Sequence, residues 1–138
     1  MAKKNFVFTQ NEAGGNFSSG ISTYVDWEPR SNIIEVGEGE MLIIEVELPG
    51  VNKEDVNILL EEANYLIIRG LKRQPRLNDS DVKRATYYLF EREFGSFYKR
   101  IFIDFPLDAS RIKSTMENGV LTVRIPRKKS EKIAVEVK

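Results

Sequence analysis

Residues 111–126 read RIKSTMENGVLTVRIP. Before Asn118-Gly119 the apolar positions Ile112 and Met116 recur in step with Ser114; after it Leu121, Val123 and Ile125 alternate with Thr122 and Arg124. Alternation with period 2 is the mark of an extended chain with one face buried. Asn-Gly between two such runs is a strong short-range hairpin signal, because both central residues of a type I′ turn need positive φ. The hairpin signature is therefore Asn118, Gly119, Val120 and Leu121, and the fold that contains it is built on antiparallel strands.

The same reading extends upstream. SNIIEV (31–36) is followed by the turn-like GEGE and by MLIIEVELPG, in which Leu42, Ile44, Val46 and Leu48 alternate until Pro49-Gly50 ends the run. VNILLEE (56–62), YLIIRGLK (65–72), YYLFE (87–91) and FYKRIFIDF (97–105) repeat the pattern, the last stopped by Pro106. Residues 73–86, RQPRLNDSDVKRAT, are polar and form a long loop; NKEDVN allows at most one helical turn. Many short strands with close turn signals predict an antiparallel β-sandwich. Residues 1–30 mix Gly, Ser and Asn with Phe6, Phe8, Phe17, Ile21 and Trp27, and keep neither period. They read as a mobile arm, with more aromatic side chains than a purely solvated tail carries. The expected division is an arm over 1–30, a sandwich domain over 31–126 and a tail over 127–138.

Composition narrows the chemistry. Lys+Arg and Asp+Glu number 21 each, so no net field draws the chain to nucleic acid or an anionic membrane. The chain contains no Cys and no His, the commonest thiolate and imidazole ligands and the usual general base near neutral pH. No loop has the spacing that cradles phosphate, and the carboxylate pairs Glu38/Glu40 and Glu61/Glu62 fall on a turn and a strand end, where solvated pairs are ordinary. The expectation is no enzyme, no cofactor and no metal. With no secretory core near the start and no apolar span, a cytoplasmic location is expected.

The stretch RIPRKKSEKIAVEVK raises a separate question. Ile133, Val135 and Val137 recur at every second position beyond a charged linker. Pro126 cannot donate into a ladder, and RKKSEK offers no Gly or Asn for a tight hairpin. Six extended linker residues span roughly 20 Å. This short strand is expected to dock on another molecule.

Three stretches carry a resemblance. ENGVLTVRIPRK is similar to the signature near the end of the α-crystallin domain of small heat-shock proteins, VELPGVNKEDVNILLE to that family's Pro-Gly segment, and FEREFGSFYKR to its Glu-Arg…Gly-x-Phe segment. They stand in the family's order over roughly residues 31–125, and Ile133-Ala134-Val135 matches its terminal Ile-x-Ile/Val motif. The resemblance implies an all-β, immunoglobulin-like sandwich. It also implies a tail motif, Ile133 and Val135, seated in a groove of another subunit between Val56, Ile58 and Leu60 and Ile112, Ser114 and Met116. A dimer strand, Tyr87, Tyr88, Leu89, Phe90, Glu91 and Arg92, would cross to the partner's sheet edge, and Phe6, Phe8, Phe17, Ile21 and Trp27 would meet clients. Leu89 and Lys99 stand where the family usually has arginine, and Ser114 where it usually has alanine. The implied function is an ATP-independent holdase chaperone for unfolding proteins, a dynamic homo-oligomer of dimers without nucleic-acid or membrane partners. The alternative is a monomeric or dimeric sandwich-fold adaptor or co-chaperone that binds one specific partner.

Overall fold

The computed structural model describes residues 7–9, 25–74, 77–128 and 133–138, with the backbone alone for 7–9. Its strands are β1 (Val7–Thr9), β2 (Ser31–Val36), β3 (Met41–Glu47), β4 (Val56–Glu61), β5 (Tyr65–Lys72), β6 (Gly95–Phe102), β7 (Lys113–Glu117) and β8 (Val120–Pro126). They form two four-stranded sheets, ordered β1-β6-β5-β4 and β2-β3-β8-β7, with every pairing antiparallel. Asn118 and Gly119 have φ of 52° and 75°, as a type I′ turn requires, and join β7 to β8 with Glu117 opposite Val120.

Cross-strand partners share a face, so the registers define the interior. Leu42, Ile44 and Val46 on β3 lie opposite Ile125, Val123 and Leu121 on β8, and all six are buried. Leu66 and Ile68 on β5 meet them from the other sheet together with Phe97 and Ile101 of β6. At roughly 1.5–3 kcal/mol per fully buried aliphatic or aromatic side chain, this contiguous cluster is the dominant favourable term.

Two expectations are corrected. Trp27 belongs to the core and not to a free arm: its ring packs against Phe97 with centroids 5.2 Å apart, its Nε1 donates to the Gly95 carbonyl at 3.2 Å, and its backbone bridges Phe97. Asp26 adds a staple, accepting from the Ser96 amide at 2.8 Å while its own amide donates to the Ser96 carbonyl at 3.0 Å. Residues 26–29, expected in the arm, thus pack on β6. Second, the 73–86 loop holds a short helix, α1 (Asp79–Val82), whose N-cap Asn78 accepts from the Asp81 amide at 2.8 Å. Tyr87–Glu91, expected to pair with a partner's edge, forms no strand within its own chain. β8 ends at Pro126 as the proline suggests, and the Arg127 and Lys128 amides add single bonds beyond it.

Two local features hold β4 in place against β5. Gly70 lies opposite Val56 and packs under the 3-10 turn Lys53–Asp55; a Cβ there would run into the Asp55 carbonyl oxygen and approach Phe97 Cζ to 2.7 Å. Asp55 in turn accepts two bonds from Arg73, from Nε and Nη2, both at 2.9 Å. This fork holds the Asp55 carboxyl below its ordinary value, hydrogen bonding to Arg73 being the main cause.

Replacing Gly70 by Ala is expected to destabilise the domain by about 1–3 kcal/mol, because backbone and an aromatic ring must both move; denaturant unfolding measures it. The Asp55 carboxylate binds fewer protons folded than unfolded near its titration, so its contribution is present above the unfolded value, about 3.9, and is lost as pH falls through the lower folded value. The difference in melting temperature between the parent and Asp55→Asn is therefore expected to be constant above about pH 5 and to shrink below about pH 4.

Candidate functional site: an edge groove, an open edge and an exposed tail

Residues 27–29 lie on β6: beside the Trp27–Phe97 bridge, Lys99 Nζ donates to the Pro29 carbonyl at 2.9 Å and stands 3.6 Å from Glu28. The start of β2 is therefore over the β6 side of the other sheet. The opposite ends of the two sheets, β4 and β7, share the remaining side of the sandwich. Val56, Ile58 and Leu60 on β4 lie opposite Gly70, Ile68 and Leu66, so they point inward; Ser114 and Met116 on β7 lie opposite Val123 and Leu121 and do the same. Val56, Ile58, Ile112 and Met116 pack against the core while remaining only half-buried, and Leu60 and Ser114 are exposed. The result is a strip of apolar surface between two strand edges that no described segment of its own chain fills. Ser114, the smallest of its side chains, is the second residue of β7.

The tail is a matching unfilled object. Ile133, Val135 and Val137 are 80%, 85% and 95% exposed, outside their own domain's groove. An extended chain places Ile133 and Val135 on one side, spaced two residues apart like the groove residues on β4 and β7.

A second open feature is β2, the end strand of its sheet, with Ile34 and Val36 exposed. The dimer strand expected to cover such an edge is itself uncovered: Tyr87, Leu89 and Phe90 are mostly exposed and Tyr88 is 97% exposed. Tyr87 and Phe90 contact edge to face at 5.2 Å, and Gln74 Nε2 donates to the Tyr87 hydroxyl at 3.2 Å. Arg92 lies over the Phe94 ring at 4.8 Å. With Leu77, these rings wall a shallow apolar cup. Leu89 is exposed, and Lys99, at the second position where arginine is usual in the resembling family, is bound within its own chain to Pro29 and Glu28.

Of the arm residues, Phe6, Phe17, Ile21 and the Phe8 side chain lie outside the described residues; the Phe8 backbone sits in β1, opposite Ile101. One residue with a positioning role escaped the sequence reading. Lys72 is buried at the end of β5, its Nζ 5.5 Å from the Trp27 ring and 5.8 Å from Phe94, at the point where the 73–94 loop leaves and rejoins the sheet. Alternation places it inward after Leu66, Ile68 and Gly70, and this is the signal that could have found it. Among the described residues no group of acidic side chains is arranged to hold a metal ion.

With this geometry in place, comparison with known proteins is direct. The family model described as Hsp20/alpha crystallin family matches residues 35–138. Small heat shock protein C2 of Rickettsia felis is 35% identical over 123 residues, covering 88% of this chain and 75% of that protein. The solved structure of heat shock protein 16.0 from Schizosaccharomyces pombe aligns with a TM-score of 0.65 at 33% identity, over 88% of this chain and 80% of that one. A small heat-shock protein from Xylella fastidiosa, whose crystal structure is described as having a distinct high order structure, aligns with a TM-score of 0.64 at 26% identity, over 83% and 99%. Sandwich, signature stretches and relatives coincide, and the chain belongs to the Hsp20/α-crystallin family of small heat-shock proteins.

Proposed function

We propose that the chain is an ATP-independent holdase that captures unfolding proteins in the cytoplasm, as a homo-oligomer whose dimers are joined through Tyr87–Arg92 and linked to one another through the tail. The observation that carries this reading is the pair of unmet surfaces: Ile133 and Val135 stand in solvent while Val56, Ile58, Ile112 and Met116 are a half-finished core. Among the described residues, one copy leaves both open. Two copies close them.

Dimer formation follows the same logic. Among the described residues β2 has a strand neighbour on one flank only, and Tyr87–Glu91 lacks a ladder; setting one copy's segment beside the other's β2 extends the sheet and covers Ile34 and Val36.

Magnitudes decide how tightly the particle is held. Two or three aliphatic side chains contribute roughly 1.5–3 kcal/mol each on burial, while ordering the tail backbone costs about 1–2 kcal/mol per residue. A single tail contact is therefore weak, and many acting together through effective concentration give a stable particle whose individual contacts open readily. Opening bares the grooves and the apolar arm residues Phe6, Phe8, Phe17 and Ile21 to any unfolding chain. No nucleotide enters the cycle.

The full chain is expected to form a large particle by light scattering and to suppress heat aggregation of an unrelated protein without ATP. A version ending at Lys129 is expected to fall to dimers. A small full-length species with no protective effect defeats the chaperone reading, whereas an unchanged size after truncation removes the tail contact alone.

A further inference from the structure

β8 has β3 on one side and β7 on the other. β7 begins at Lys113, opposite Arg124, so the β7 side of β8 is vacated beyond that point. Pro126 falls there, and its missing N–H costs no ladder bond. The next residues are held on both flanks. The Arg127 amide donates to the Glu40 carbonyl at 2.9 Å, continuing the β3 ladder one step past the Met41–Pro126 pair. The Lys128 amide donates the other way, to the Pro106 carbonyl at 3.2 Å, and Arg127 forms an antiparallel bridge with Leu107. The Arg127 guanidinium lies 5.3 Å from the ring centroid of Phe105, which is itself buried.

Two consequences follow for a tail that docks as proposed above. The linker is shorter than the charge run suggests: 129–132, four residues, separate Lys128 from Ile133, and five virtual bonds reach about 17 Å when extended. The exit is also directed. Pro106-Leu107 occupies the flank of β8 on which β7 lies, so Arg127 and Lys128 are held between it and Glu40 in line with the strand.

We propose that Arg127 and Lys128 form a positioning clamp that aims the tail away from its own domain, so that Ile133 and Val135 engage the groove of a second copy. The clamp rests on the docking reading but assigns a different residue set and a different task, the choice between intramolecular and intermolecular engagement. A charged, freely jointed linker supplies reach alone. The clamp adds direction, and closure of a head-to-tail contact into a finite particle depends on direction.

The test mixes isotopically labelled and unlabelled full-length subunits, lets them exchange, and cross-links Lys138 of the tail to Lys113 on β7. In the parent, these links are expected to be between subunits. In the double variant Arg127→Ala, Lys128→Pro, which loses the ring contact and the bond to Pro106, the intramolecular share is expected to rise roughly threefold or more, the scale of one lost hydrogen bond. An equal share in parent and variant overturns the clamp. Amide exchange of the parent particle gives a second readout that needs no variant to fold: Arg127 and Lys128 are expected to exchange at least about tenfold slower than open chain, and open-chain rates overturn the proposal. The variant Ile133→Ser, Val135→Ser separates the two failures. If it leaves particle size unchanged and the tail links are absent, docking itself fails and the clamp with it; if it dissociates the particle while the clamp variant behaves as the parent, the clamp alone is wrong.

Discussion

A β-sandwich buries its two inner faces by packing sheet on sheet, but it has no internal means of finishing the ends of those sheets. Here that leaves β1, β2, β4 and β7 as end strands. Among the described residues each has a neighbouring strand on one flank only, and two of them also carry side chains that point into the sandwich without being fully enclosed. β4 and β7 cannot close the gap between them, because they belong to different sheets and their inward side chains meet only part of the core. The unfinished edge is thus a geometric consequence of the fold, and every further feature of the molecule can be understood as an answer to it.

The answers differ in rigidity. At the root of the 73–94 loop the structure is strongly tied: Asp26 is bonded to Ser96, Trp27 packs on Phe97, Lys72 lies between two rings, and Asp55 is forked by Arg73. Tight anchoring of both loop ends lets the intervening Tyr87–Phe90 segment project its rings without loosening β5 or β6. A swapped segment works on these terms, since an exchanged strand must be free while the strands that launch it stay put.

How far this was legible in the sequence follows from what alternation encodes. Period 2 reports which side chains share a face, so the hairpin around Asn118-Gly119 and the inward sets Leu42/Ile44/Val46 and Leu121/Val123/Ile125 could be read directly. It does not report which strand lies beside which. Trp27 was placed in the arm because its local neighbours keep no period; its burial comes from Phe97 and Gly95, some seventy positions away. Tyr87–Glu91 reads as a strand and forms none in a single chain, since period 2 marks a strand but not the edge that would pair with it. The groove residues on β4 and β7 came through family resemblance, for periodicity alone could not pair two edges of different sheets. Pro126 reads as a stop and β8 ends there; the bonds beyond it, from the Arg127 amide to Glu40 and from the Lys128 amide to Pro106, follow no period that the sequence displays.

The balance of terms at the groove also bears on temperature. In the docking proposed above, the gain from burying Ile133 and Val135 is entropic at about 25 °C and so grows with temperature at first, then flattens as it becomes enthalpic. The cost of ordering the tail is an entropy, and its weight rises in direct proportion to temperature. Where the gain has flattened the ordering cost overtakes it, so a tail contact near balance would open before the sandwich core, with its many enclosed side chains, unfolds. A groove that held its occupant by a deep pocket or a buried ion pair would lose this property. Shallow, half-exposed aliphatic strips such as Val56, Ile58 and Met116 retain it, and the exposed Ser114 among them adds no large apolar contact to hold the occupant more tightly.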